Sequence, residues 1–206
     1  MGLKERDVMV TGRGILFSIG RELFEGYKPK DEFDYSKLIL AEPRFISRTE
    51  LSRDDKQIFS YITFFDERNG EVYTFSKDEK LSVCIEGPVY FEDASKDSIR
   101  RHGSTFKAGA MREINKQVGV SEGAVLINPG FINLEDKYFK DRFGILYIAL
   151  TKSKNIVTHS RRTRVVPIKF DGKRGLSKLE ELCKENRLDS CSKTIVEALR
   201  TYSDFF

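Results

Sequence analysis

The chain has 206 residues, 39% of them hydrophobic and 33% charged, with a formal net charge of +4. That length fits one domain, or one domain with extensions, and can bury a real core. The charge is too small to imply nucleic acid by itself and is compatible with an anionic ligand.

No apolar run approaches the ~20 residues that span a bilayer, so no membrane partner is expected. The opening MGLKERDVMV lacks the apolar stretch of a secretory signal. Arg6 stands where a myristoylation signal needs Ser or Thr. A cytoplasmic location is the expectation. Cys84, Cys183 and Cys191 are an odd count without CxxC spacing, which argues against a disulfide framework or a zinc site.

Along the chain, the first forty-odd residues mix aromatic and aliphatic side chains with charges as far as Pro43. Two β-rich runs, Ile58 to Phe65 and Glu71 to Phe75, flank DERNG, whose Asn69-Gly70 is a strong hairpin signal. KLSVCIEGPVYF predicts another strand, broken at Gly87-Pro88, with Cys84 as a small core residue. DASKDSIRRHGST reads as a polar loop. Ala108 to Val118 predicts a helix, because Phe106, Gly109, Ala110, Ile114 and Val118 recur near helical spacing and Gly119 follows.

AVLINPGFINL and FGILYIALT predict strands, the second buried on both faces, and IVTHSRRTRVVPIKF one more. Leu176 to Leu199 carries two helical patterns. The expected class is α+β: a mixed sheet built partly from 81–85 and 143–150, a central helix packed on it, and C-terminal helices. A single domain over 1–206 is expected, with 1–50 as an N-terminal extension and 176–206 as a C-terminal helical one.

This order, together with REINKQVGV, resembles the Nudix family, whose signature is GX5EX7REUXEEXGU with U aliphatic. Arg112 and Glu113 match RE, Ile114 matches U, and Gly119-Val120 match the closing pair. Gly87 matches the opening glycine and Asp93, six positions on, the first glutamate, with an insertion between Asp93 and Arg112. ELFEGY, FISRTELSRDDKQIFSYITF, EGPV, FGILYIALT and LDSCSKTIVEAL look, in order, like the MutT-type branch of predicted phosphoesterases. That likeness spans roughly Leu23 to Leu199.

Lys116 and Gln117 fall on the paired glutamates that, in Nudix hydrolases, hold the divalent cations that activate water on a diphosphate. A hard cation wants oxygen ligands, and the exchange removes two negative charges and adds a positive one. The box therefore reads as degenerate. The resemblance then implies a protein that binds a nucleotide-like or phosphorylated small molecule, or a partner, with little or no hydrolysis.

Two alternatives stand beside it. One is a metal-dependent hydrolase of nucleoside diphosphate derivatives, using Mg2+ or Mn2+ held by substitute carboxylates: Glu113, Glu92 and Asp93, with Glu122, Glu135 or Asp136 as further candidates. The other is a macromolecular interaction module, with a protein or nucleic-acid partner on a basic strand. The oligomeric state is left open.

Candidate residues follow from these readings. Glu113 is the catalytic candidate, and Glu113, Asp93 and Glu92 are the metal candidates. Arg112, Lys116, Gln117, Gly87, His102, Arg161, Arg162 and Arg164 are the ligand-binding candidates. Each has a plainer role. Arg112 can brace the loop and Lys116 can be a solvated helix charge. His102 can sit in solvent, and HSRRTR can be an exposed strand edge whose charges discourage pairing. Glu86 and the pair Glu92-Asp93 are acidic enough to recruit a cation, although turns often carry such residues.

Overall fold

A computed structural model describes residues 6–12, 24–33, 35–77, 80–119, 124–151, 156–160, 163–169 and 173–202. In chain order the elements begin β1 (Val8–Gly12), β2 (Gly26–Pro29), α1 (Tyr35–Leu40), β3 (Arg44–Ile46), β4 (Asp55–Asp66), β5 (Glu71–Lys77), β6 (Lys80–Ser82) and β7 (Ile85–Pro88). They continue α2 (Lys96–His102), α3 (Thr105–Gln117), β8 (Val118–Gly119), β9 (Val125–Asn133), β10 (Arg142–Thr151), β11 (Val157–Thr158), β12 (Arg164–Lys169), α4 (Lys173–Lys184) and α5 (Ser190–Tyr202). The main sheet runs β12-β5-β4-β10-β9-β2, while β8 and β11 pair separately. This is the expected α+β class, a mixed sheet with several helices.

The chain forms two compact units, one from 1–60, 86–112 and 130–145, the other from 61–85, 113–129 and 146–206. In the first, β1 pairs antiparallel with β3 and with the start of β4, and β2 pairs with the end of β9. The segment expected as an N-terminal extension thus supplies three strands. Its core is aromatic: Phe33 lies 5.0 Å from Phe131, 5.5 Å from Phe143 and 5.7 Å from Phe24, in tilted or edge geometry, as ring quadrupoles prefer. Lys56 is fully buried beside this core, and its Nζ donates to Asn133 Oδ1 and to Glu135 Oε1, both at 2.6 Å. At Gly130 the strands β2 and β9 approach so closely that a Cβ would lie 2.1 Å from the carbonyl oxygen of Lys28.

In the second unit, the predicted hairpin joins β4 to β5 in the register Phe65↔Val72 and Asp66↔Glu71. Asp66 closes it: Oδ1 accepts the N–H groups of Arg68 and Asn69, and Oδ2 accepts the Asn69 side-chain amide, an Asx-type turn. The Tyr73 hydroxyl also donates to Asp66 Oδ2, at 3.3 Å. The C-terminal helices form as their apolar spacing predicts, burying Leu179 and Leu182 on α4 and Ile195, Val196 and Leu199 on α5.

Three expectations are corrected. DASKDSIRRHGST, read as a loop, contains α2. Ser95 Oγ accepts the Ser98 N–H, Asp97 lies in the first turn, and Arg100, Arg101 and His102 lie in the last, where they suit the helix dipole. Gly103 ends it at φ 85°. The strand through KLSVCIEGPVYF breaks at Val83-Cys84 rather than at Gly87-Pro88, which close β7. The cause is distant in sequence: the Val83 N–H donates to Ser192 Oγ on α5 instead of to a neighbouring strand. The single strand expected over IVTHSRRTRVVPIKF is two, β11 and β12. The predicted helix is α3, which begins earlier than expected, at Thr105, because Ser104 Oγ accepts the Lys107 N–H, and ends at Gln117, so that Val118 opens β8. Ile114 and Val118 are buried as the stripe requires.

Candidate functional site

Arg112 lies on α3 and is the centre of a cluster in the first unit. Its Nε donates to Asp93 Oδ1 at 3.0 Å and its Nη2 to Asp93 Oδ2 at 3.1 Å, a bidentate pair of the strong kind. Nη2 also donates to the Pro88 carbonyl at 2.6 Å, and Glu92 Oε1 lies 3.3 Å from Nε. The guanidinium sits 4.4 Å from the centre of the Tyr90 ring. Asp93 is 3% exposed, and Oδ2 accepts the Tyr90 N–H as well, at 2.8 Å. Both oxygens of this candidate metal ligand are therefore engaged. The arrangement fastens the loop after β7 to the helix. Gly109 permits it, because a Cβ there would lie 3.0 Å from Asp93 Oδ2 and 3.3 Å from Val89 Cγ2.

Glu113, one residue on, is 1% exposed in the second unit. Its Oε2 accepts a hydrogen bond from Gln117 Nε2 at 2.6 Å, one turn along α3. Lys116 Nζ lies 3.7 Å from the same oxygen, on a side chain 64% exposed. The spacings i, i+3 and i, i+4 place all three on one face, as helical geometry demands. Gln117 and Lys116 are thus both partners of the buried Glu113 carboxylate.

The remaining candidates are dispersed. Gly87 is buried in β7. Glu86 pairs with Arg142 at 2.6 Å, whose guanidinium also covers the Phe59 ring at 4.5 Å. His102 is the half-buried last residue of α2. Glu135 pairs with the buried Lys56, and Asp136 Oδ1 accepts the N–H groups of Tyr138 and Phe139. Arg164 opens β12, a terminal strand of the sheet, and is exposed. Arg161, Arg162, Glu122 and Val120 lie outside the described residues. Among the described residues, no group of three or more His, Cys, Asp or Glu is placed to hold a metal.

Residue reading missed the roles of four positions. Tyr90 carries both the Arg112 guanidinium and a hydrogen bond from Arg48, at 2.6 Å to its hydroxyl. Only its place between Gly87 and Asp93 could have drawn notice. Lys56 gave no signal, since a lysine in a β-rich run is ordinarily solvent-facing. Thr158, read only within an expected strand, and His159, read as the start of a basic run, dock on the end of α3: Thr158 pairs with Val118, and the His159 N–H donates to the Gln117 carbonyl at 3.0 Å.

No protein-family model and no curated protein matches this sequence. Among solved structures, the chain is similar to Tm1382, a candidate Nudix hydrolase, with a TM-score of 0.76 and 19% identity over 96% of this chain and 100% of that one. A NUDIX-family hydrolase from Clostridium perfringens aligns at TM-score 0.46 and 12% identity, over 75% of this chain and 99% of that one. The NUDIX domain of Shewanella oneidensis NrtR, in complex with ADP ribose, aligns at TM-score 0.49 and 10% identity, over 76% and 93%. The chain has the Nudix fold.

Proposed function

We propose that this Nudix-fold chain binds a nucleotide-like or phosphorylated ligand, or a partner, with little or no metal-dependent hydrolysis. The observation that carries the reading is the state of Glu113: a buried carboxylate already satisfied by Gln117 and Lys116. Mg2+ requires near-octahedral oxygen ligation and dehydrates reluctantly. One carboxylate, one amide and one ammonium do not fit it. To ligate, Glu113 would give up the Gln117 bond, and the cation would meet the Lys116 charge. The Arg112 brace supports the same reading, because it occupies Asp93 and draws on Glu92. No hydrolytic step through a metal is derived from this donor set.

The test is turnover. The purified protein is assayed with Mg2+ and with Mn2+ on a panel of nucleoside diphosphate derivatives, and the expected result is no release above a no-enzyme control. The double exchange Lys116→Glu with Gln117→Glu should create divalent-cation binding near Glu113, read by isothermal titration calorimetry, because three carboxylates then share one helical face. Robust turnover by the wild type that disappears in Glu113→Gln would refute the reading. Substitute carboxylates would then complete a working metal site.

A further inference from the structure

The sequence presents two separate basic features, Lys116 in the box and the run His159 to Arg164. The second unit joins them. Val157 and Thr158 pair with Gly119 and Val118, and the His159 N–H closes on the Gln117 carbonyl, so the run begins at the last turn of α3. The His159 ring lies over Gly119, where a Cβ would stand 3.6 Å from its Cε1. The Thr158 hydroxyl reaches the carbonyls of Ser160 at 3.1 Å and of Thr163 at 2.8 Å. Lys116, His159 and Arg164 are all exposed. Among the described residues, neither His159 nor Arg164 has an ion-pair partner.

Resting on the binding function proposed above, we infer that Lys116, His159 and Arg164 form a metal-independent subsite for the diphosphate group of a small ligand. A buried acidic helix face needs a divalent ion to receive a diphosphate. Here the donors belong to the chain itself: an ammonium that acts as a point charge, an imidazole N–H, and a guanidinium fork suited to two phosphate oxygens. A plainer role exists, in which the cations only balance the negative end of the α3 dipole. That role would affect stability and leave ligand affinity untouched.

The experiment uses the full chain in EDTA, with inorganic pyrophosphate and ADP as probes in calorimetry, against His159→Ala, Arg164→Ser and Lys116→Ala. The wild type should bind both probes without metal. Each exchange should weaken binding about tenfold, the scale of one charge-assisted hydrogen bond, with the thermal midpoint nearly unchanged in His159→Ala and Arg164→Ser. No binding by the wild type in EDTA would overturn the subsite, as would equal affinity in all variants. Preference for a single-stranded oligonucleotide over pyrophosphate, with a steep salt dependence, would assign the cations to a polynucleotide and also overturn it. Because no turnover is measured, failure here is distinct from failure of the hydrolysis test.

Discussion

Replacing Asp93 with alanine tests whether the carboxylate is a brace or a ligand held ready for a cation. The exchange removes both oxygens that receive Arg112, at 3.0 and 3.1 Å, and the acceptor of the Tyr90 N–H. Breaking a buried ion pair from one side costs about 3–5 kcal/mol. Arg112 keeps the Pro88 carbonyl and the partly exposed Glu92, so the low end, about 3 kcal/mol, applies. For a domain of this size that lowers the thermal midpoint by about 6–12 °C, measured by calorimetry in EDTA. Arg112→Leu should cost a similar amount. The double variant should show a coupling of about 1.5–3 kcal/mol, because both single changes destroy the same interaction. A ready cation ligand would behave oppositely, since removing its charge would leave the metal-free protein as stable or more so. A midpoint unchanged in Asp93→Ala, or strictly additive effects, would refute the bracing argument.

Two further outcomes are expected. Gly109→Ala ordinarily gains up to about 1 kcal/mol in a helix interior. Here the added methyl meets Asp93 Oδ2 at 3.0 Å, on a side chain fixed by its own bonds, so urea titration should show a net loss. Tyr73 is pushed up from 10.0 to about 12 by burial, with Asp66 adding to the shift. A raised folded value means its contribution is fully present below pH ~10 and is lost as the pH rises towards 12. Tyr73→Phe should therefore flatten the alkaline fall in stability by on the order of 2 kcal/mol; an identical pH profile in the variant would exclude that origin.

Legibility in the sequence followed the range of the interactions. The β4-β5 hairpin is written in Asn69-Gly70, and Asp66 completes it within three residues. The C-terminal helices and β10 announce themselves by period and apolar run. The first fifty residues do not, because β1, β2 and β3 are three to five residues long and find partners as remote as β9. The break at Val83 depends on a serine on α5, which no local reading supplies. At the candidate site, Lys116 and Gln117 stood out as exchanged residues, and helical spacing alone placed them with Glu113. That His159 would meet the same helix required the β8-β11 pairing, two residues long and without a turn signal of its own.

The crossing at Gly130 bears on how such a chain can diverge. A methyl group there would meet not a side chain that can rotate but the backbone oxygen of Lys28, at 2.1 Å. One carbon atom would part β2 from β9. Lys116, by contrast, has 64% of its side chain exposed and reaches Glu113 Oε2 at 3.7 Å, so an exchange there meets solvent and one long ion pair rather than backbone. Folding therefore demands glycine at position 130 far more strictly than lysine at 116. The scaffold is thus fixed where backbone meets backbone, and the character of the helix face is set at positions that packing leaves open.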